Sequence, residues 1–341
     1  LFEQEELEGY IGEFLGIERQ ESQEVLRAIA SQHGLLIERS YRVWSFSHLT
    51  FQEYLISSFF VVNIDFKRLA SHIQKLHWHE VFLLSVLSCY EEAECNNLII
   101  EMSKSINGLV AKDKNIQELL TCVHQKSLFV QVPHWYHPAA IRALYFDMAR
   151  FINCATNIEI NAGIEKSFLL SNSIDQELVT SLALAIEIGR TRHFYKNIEL
   201  VFDIDFTHTI VETYNLGDNL ETCLNLLNDY IDDAANFNSE IGKELRLLQQ
   251  YMRDNLEKTI CNTLIKKIQE IMIANRNIGH IWQFSREQKK VIQEYYDANR
   301  LLATCLDSIC AASSKIRAEI AENLILPIAE IEKRKSEQQT E

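Results

Sequence analysis

Apolar positions along this chain recur mostly at helical spacing, and the first departure from that rhythm comes early. From Gly34 to Trp44 the residues Leu35, Leu36, Ile37, Tyr41, Val43 and Trp44 surround the polar Glu38-Arg39-Ser40, which reads as two short strands about a turn. A helical stretch from about Glu21 to His33 precedes them. Before it, an acidic helix from about Phe2 to Leu15 should end at Gly16. After the strands, Thr50 and Glu53 have the Thr-x-x-Glu spacing of a capping box, and Phe51, Leu55, Phe59 and Val62 follow at helical intervals. Helix, hairpin and helix in that order make the C-terminal part of a winged-helix domain, residues 1–65, with His48 just ahead of a helix N-terminus.

Residues 66–205 continue as amphipathic helices, Phe66 to Leu76, Trp78 to Cys89, Glu94 to Ile106, Ile116 to Val123 and Pro138 to Cys154, the last opened by a proline suited to a first helical turn. Their lengths suggest helix pairs stacked in a HEAT-like, solenoid-like array, although no clean repeat period emerges. Between Asn157 and Asp205 the pattern loosens, with breaks expected at Gly163 and Gly189. In residues 206–341, Leu245, Leu248, Met252, Leu256, Ile260, Leu264, Ile268 and Ile271 mark one long helix from about Ser239 to Ala274. Asn275 to Gly279 should stop it. Ser285-x-x-Gln288 is a capping box for a helix reaching about Cys310, and Ser313 or Ser314 caps a final helix that Pro327 should kink. The fold class expected is mainly α: a partial winged helix with a small β-hairpin, a helical array and a C-terminal long-helix bundle.

Composition agrees with this picture and narrows the functions. Ten glycines and three prolines in 341 residues are few beside an average usage of about 7% and 5%. Thirty-three basic against forty-eight acidic residues give a net charge of −15, which opposes non-specific binding to phosphate backbones or acidic membranes. The first 60 residues hold four arginines, no lysine and ten glutamates. Gln20-Glu21-Ser22-Gln23-Glu24 would offer carboxylates where a DNA-reading helix needs cations, so a winged-helix transcription factor is disfavoured. Eight cysteines without regular spacing read as buried free thiols in a reducing cytoplasm. No apolar run approaches the roughly eighteen residues of a membrane span, and no signal segment opens the chain. It begins at Leu1 without methionine, as the C-terminal part of something longer would.

Candidate chemistry is sparse. No Gly-x-x-x-x-Gly-Lys-[Ser/Thr] runs through the glycines, and neither a Gly-x-Ser-x-Gly elbow nor a Cys-x-x-Cys pair is present. The chain alone should therefore not hydrolyse a nucleotide. His77, His79 and Glu80, then His134 and His137, then His280 with Cys305 and Cys310, are the sets to weigh as metal ligands. His77 and His79 point to different faces of a helix and His79-Glu80 lacks a second histidine, so no metal is expected. Cys305 and Cys310 read as small apolar fillers beside Leu301, Leu302 and Leu306, and Trp282, Tyr295 and Tyr296 as core aromatics.

Phe46-Ser47-His48-Leu49-Thr50-Phe51-Gln52-Glu53-Tyr54 resembles a segment in the winged-helix domain of NACHT-type STAND NTPases, switch ATPases that include animal NOD-like receptors and many bacterial proteins. Trp78-His79-Glu80-Val81-Phe82-Leu83-Leu84, Gln125-Lys126-Ser127 and Ala139 to Ala143 look like the helical region that follows NACHT modules in bacterial, especially cyanobacterial, proteins. A third resemblance covers Ile278 to Ile328, with Trp282-Gln283-Phe284-Ser285 and Tyr295 to Leu306, and is similar to the C-terminal helical domain of the same proteins. The resemblance implies a nucleotide-dependent signalling switch, with anti-phage defence among its settings, and a parent protein that is an ATPase or GTPase. It implies that His48 reaches the phosphate of ADP bound by the NACHT domain N-terminal to this chain, an anionic acceptor for an imidazole donor. It also implies that ADP and ATP belong to the full-length protein and none to this chain alone, that a protein ligand or trigger acts on the helical arm, and that activation brings oligomerisation. Neither nucleic acid nor membrane is an expected partner. The competing expectation, from residue pattern alone, is a free-standing helical scaffold that binds another protein without nucleotide.

Overall fold

A computed structural model describes residues 1–154, 168–192, 199–216, 220–237, 239–254 and 260–338. The chain opens with strand β1 (Phe2–Glu3), then α1 (Gln4–Leu15) and α2 (Arg19–Ala28), which runs on through a single π-helical turn to His33. Gly16, at φ 66°, takes the left-handed conformation that ends α1. The hairpin is β2 (Leu36–Ser40) and β3 (Val43–Phe46), and β1 adds to the other edge of β3 in an antiparallel order β1-β3-β2. Two residues at Phe2–Glu3 were too few to show as a strand pattern. The sheet closes over a small core of Leu26, Leu36 and Trp44, with Leu7 and Ile11 of α1 packed against it. Buried Glu8 joins α1 to α2, accepting from Gln4 Nε2 at 2.7 Å and Arg19 Nε at 3.0 Å. Together these elements form a winged helix.

The helical array follows as α3 (Leu49–Val62), α4 (Phe66–Ala70), α5 (His79–Ser88), α6 (Glu92–Val110), α7 (Lys114–Phe129) and α8 (Pro138–Cys154). Next come α9 (Leu169–Ile174), α10 (Gln176–Arg192), α11 (Glu199–Leu216) and α12 (Leu220–Phe237). The last are α13 (Ser239–Asp254), α14 (Ile260–Arg276), α15 (Arg286–Asp307), α16 (Ser314–Asn323) and α17 (Ile328–Gln338). Sequence neighbours pack pairwise. Helix α15 instead returns to lie against α5, α6 and α9, so one contiguous core runs from Phe60 to Ile325. Close approach of α3 and α5 depends on small residues, with Ser85 Oγ donating to Ser57 Oγ at 3.1 Å where both side chains are fully buried.

Three expectations need correction. The single long helix from Ser239 to Ala274 is two antiparallel helices, α13 and α14: Asn275 Nδ2 lies 3.4 Å from Glu244 Oε2, whereas a straight helix would separate these residues by about 46 Å. One apolar stripe per helix cannot distinguish a straight run from a hairpin when no glycine or proline marks the reversal. Gly189 does not break a helix but lies within α10; Gly163 lies outside the described residues. Pro327 does not kink a helix either, because α16 ends at Asn323 and the link Leu324-Ile325-Leu326 precedes it. Arg142 caps that end: its guanidinium donates to the carbonyls of Glu322 and Leu324, satisfying acceptors that a helix terminus leaves open. The capping box at Ser285 and Gln288 and the Ser313 cap form as expected.

Burial of charge is concentrated at Asp203 of α11, whose side chain is fully buried. Arg276 at the end of α14 donates to both its oxygens at 2.8 Å, Tyr145 Oη of α8 donates at 2.8 Å, and Lys126 Nζ of α7 lies at 3.2 Å. Burial works against the Arg276 cation, but the hydrogen bonds and charge of Asp203 outweigh it and hold its pKa above the ordinary value. Burial pulls Lys126 down despite Asp203. Glu199 adds a second anion 3.5 Å from Arg276, so two cations face two anions. The chain then turns at Gly279, where φ is +88° and an added Cβ would fall 2.8 Å from the Phe206 ring, so glycine is required twice over.

Replacing Asp203 with Ala should destabilise the protein by about 3–5 kcal/mol, because it strands two buried cations, and chemical denaturation measures this. A loss below 1 kcal/mol would show the cluster to be solvated. A second buried carboxyl, Asp147 of α8, accepts from the Ser171 amide at 3.2 Å, while its Oδ1 has no partner. Burial pushes its pKa up to about 7, against the lowering charges of Arg150 and Arg300. The folded state therefore holds a proton that the unfolded chain releases near pH 4, and stability should fall as pH rises from about 4 to 7. Asp147→Asn should flatten that part of the stability profile; an unchanged slope would contradict the assignment.

Candidate functional site

Strand β3 delivers the chain at Phe46 to Ser47 and His48, and His48 is the N-cap of α3, with extended backbone at φ −131° and ψ 142°. The expected capping box at Thr50 and Glu53 does not form. Helix α3 starts at Leu49, one residue before Thr50, so Thr50 already lies inside the first turn and no side chain caps it. The His48 carbonyl starts the helix, accepting from Phe51 N at 3.2 Å, while its imidazole is exposed and makes no cap hydrogen bond. The ring meets the edge of Phe51, at 5.8 Å between centroids. Both ring nitrogens can therefore address a group outside the described residues.

Helix α3 turns its apolar stripe outward. Phe51, Leu55, Phe59 and Val62 recur at helical spacing, yet all are exposed, Phe59 by 51% and Val62 by 78%, while Ser57 and Phe60 face the core. Periodicity located the stripe but not its direction, since an apolar face implies a partner without saying which. The face begins at His48 and runs the length of the helix. A contiguous exposed apolar face differs from singly scattered apolar residues in calling for a partner.

The metal candidates are dispersed. His77 and Glu80 are exposed and His79 half-buried, its pKa lowered by burial. His134 is exposed beside Trp135, whereas His137 Nδ1 accepts from Ala139 N at 3.1 Å. His280 Nε2 bonds Asn277 Oδ1 at 2.8 Å, beside a cavity of about 40 Å³ that Cys122, Lys126, Tyr145 and Trp282 also line. Among the described residues no three His, Cys, Asp or Glu side chains form a group able to hold a metal ion. Tyr295 and Tyr296 are core residues, Tyr296 under the Arg150 guanidinium at 4.2 Å, and Trp282 stacks on Phe284.

Cys89 after α5 and Cys95 of α6 are buried free thiols, Cys95 Sγ donating to the Val86 carbonyl at 3.8 Å. Cys305 is the filler expected, fully buried with its thiol pushed up by burial. Cys310 is half-buried.

Two protein families match the chain. The winged helix-turn-helix domain C-terminal to NACHT matches residues 18–59, and NACHT C-terminal helical domain 2 matches residues 243–327. The first ends within α3 and includes His48; the second runs from α13 to the link after α16. No curated protein and no solved structure matches the chain. No described helix is long and apolar enough to cross a membrane.

Because the α3 stripe is exposed, replacing Leu55 and Phe59 with Lys should change the stability of this chain by no more than about 0.5 kcal/mol per site. Phe60→Ala, on the opposite face, should cost about 3–5 kcal/mol. Thermal denaturation of the variants distinguishes the faces, and a large loss at Phe59 with none at Phe60 would reverse the assignment.

Proposed function

We propose that this chain, a C-terminal region of a NACHT protein, is the regulatory arm of a nucleotide-dependent signalling switch. The observation that carries the reading is the joint exposure of the His48 imidazole and the apolar stripe of α3. A NACHT nucleotide-binding domain seated on that stripe buries Phe51, Leu55 and Phe59 and brings the diphosphate of bound ADP to His48. The imidazole then donates a charge-assisted hydrogen bond to a phosphate oxygen. ADP thus holds the nucleotide-binding domain against the winged helix, and a trigger on the helical arm disfavours that closed arrangement. Exchange for ATP frees the α3 face and permits oligomerisation.

In this reading residues 1–65 are the hinge side of the switch, residues 66–205 the array that receives the trigger, and residues 206–341 the C-terminal helical domain. The chain itself contributes contacts rather than catalysis, and hydrolysis belongs to the NACHT domain. Defence against phage is one setting in which such a cytoplasmic switch would work. A helical scaffold without nucleotide dependence would use the same exposed face, but would leave the position of His48 without a role.

His48→Ala in the protein that includes the NACHT domain removes one charge-assisted bond, about 1.5–3 kcal/mol, so ADP should be held roughly tenfold to a hundredfold less tightly. Nucleotide retention on a desalting column and isothermal titration measure this. Basal oligomerisation should rise while the melting temperature of the isolated chain stays close to that of the unsubstituted one. Unchanged ADP affinity together with a destabilised isolated chain would assign His48 to structure and sink the switch.

A further inference from the structure

A cleft of about 260 Å³ lies where the end of α9, the end of α15, helix α16 and the entry to α8 meet. Ile174, Leu306 and Leu324 give it apolar walls, and Ala303, Ala318 and Ala321 stand where larger side chains would fill it. A single water needs only about 10–15 Å³ on the same measure, so the space takes a small organic molecule.

Three polar groups on these walls lack partners. Arg317 of α16 is half-buried: its Nη1 donates to the Leu306 carbonyl at 3.3 Å, which holds the guanidinium against the end of α15, while its Nε is buried with no acceptor. A buried donor is a cost to the fold until an acceptor meets it. His137 is fixed by two bonds, its amide donating to Asp175 Oδ2 at 2.9 Å and its Nδ1 accepting from Ala139 N at 3.1 Å. A nitrogen that accepts carries no hydrogen, so the neutral ring holds its hydrogen on Nε2, as a donor for which the described residues offer no acceptor. Burial, and after it the charge of Arg142, lowers the His137 pKa and keeps the ring neutral. Asp307, the last residue of α15, is exposed and makes no ion pair among the described residues, although Arg317 lines the same cleft. We propose that this cleft binds a free α-amino acid with an apolar side chain, Arg317 and His137 taking its carboxylate, Asp307 its ammonium, and Ile174, Leu306 and Leu324 its side chain.

Opposite charges that share a cleft without pairing are bridged by a ligand that carries both. Guanidinium and imidazole N–H groups suit a carboxylate, whose two oxygens accept charge-assisted bonds. An ionised Asp307 only accepts, and an ammonium offers it three donors. Inorganic phosphate would answer Arg317 but meet like charge at Asp307, and a plain hydrocarbon would leave Arg317 Nε unmet. Helix α9 lies in the array and α16 within the C-terminal helical domain, so the bound amino acid touches both. Binding at this cleft needs neither the NACHT domain nor a nucleotide.

Isothermal titration of the full chain with L-leucine and L-phenylalanine tests this, beside leucinamide, which lacks the carboxylate, and 4-methylpentanoate, which lacks the ammonium. An amino acid should bind and raise the melting temperature. Each one-charge analogue should bind about tenfold to a hundredfold more weakly, the worth of a hydrogen bond to a charged group. Asp307→Asn, at an exposed side chain with no partner to lose, should remove the preference for leucine over 4-methylpentanoate. Arg317→Met should remove the preference over leucinamide. Should Arg317→Met not fold, Ala318→Trp at the exposed rim takes its place and is expected to abolish binding by filling the cleft. Failure of both amino acids to bind at millimolar concentration would overturn the proposal. So would equal affinity for leucine and 4-methylpentanoate, or binding that Asp307→Asn and Ala318→Trp leave unchanged.

Discussion

A fully buried carboxylate with no water to solvate it must be surrounded by donors, and Asp203 collects them from three other helices. This requirement fixes much of the architecture. Arg276 can reach both Asp203 oxygens only if α14 ends beside α11. Tyr145 and Lys126 bring α8 and α7 to the same point, so four helices are set relative to one charge. Replacing such a cluster with well-packed apolar side chains need not lose stability, but removing one partner does, and its value to the fold is specificity of arrangement. Gly279 then permits the chain to leave the cluster past Phe206 toward α15.

How much of this could be read from sequence depended on the range of the interaction that decides each feature. Caps act over three residues, so Ser285 with Gln288 and the Ser313 cap were legible. The boundaries of α8 were legible too, because Pro138 is a strong local signal. Thr50 and Glu53 misled because the turn out of β3 starts the helix one residue early, making His48 the N-cap. The β1 strand exists only through pairing with β3, and the α13–α14 reversal only through packing, so neither leaves a local mark. For the candidate site, the position of His48 ahead of a helix was visible in sequence. The outward direction of the α3 stripe was not, because the same spacing serves a core face and a docking face.

That outward stripe is the clearest link between fold and function. The winged helix buries its own small core around Trp44 and joins the array through the inner side of α3, where Ser57 meets Ser85. Its outer side remains apolar and open, with an exposed imidazole at one end. In the proposed switch, whatever covers its outer face also bears on α5 and the core behind it. Both matched families are domains that accompany NACHT modules, and they bracket the array at its two ends.

Hydrogen exchange on residues 49–62, compared between this chain alone and the same chain joined to its NACHT domain with ADP bound, measures that coverage directly. Docking on α3 should slow exchange in the helix in the joined, ADP-bound protein and release it when ATP replaces ADP. Equal exchange of α3 in all three states would contradict a role for this face in nucleotide-dependent closure.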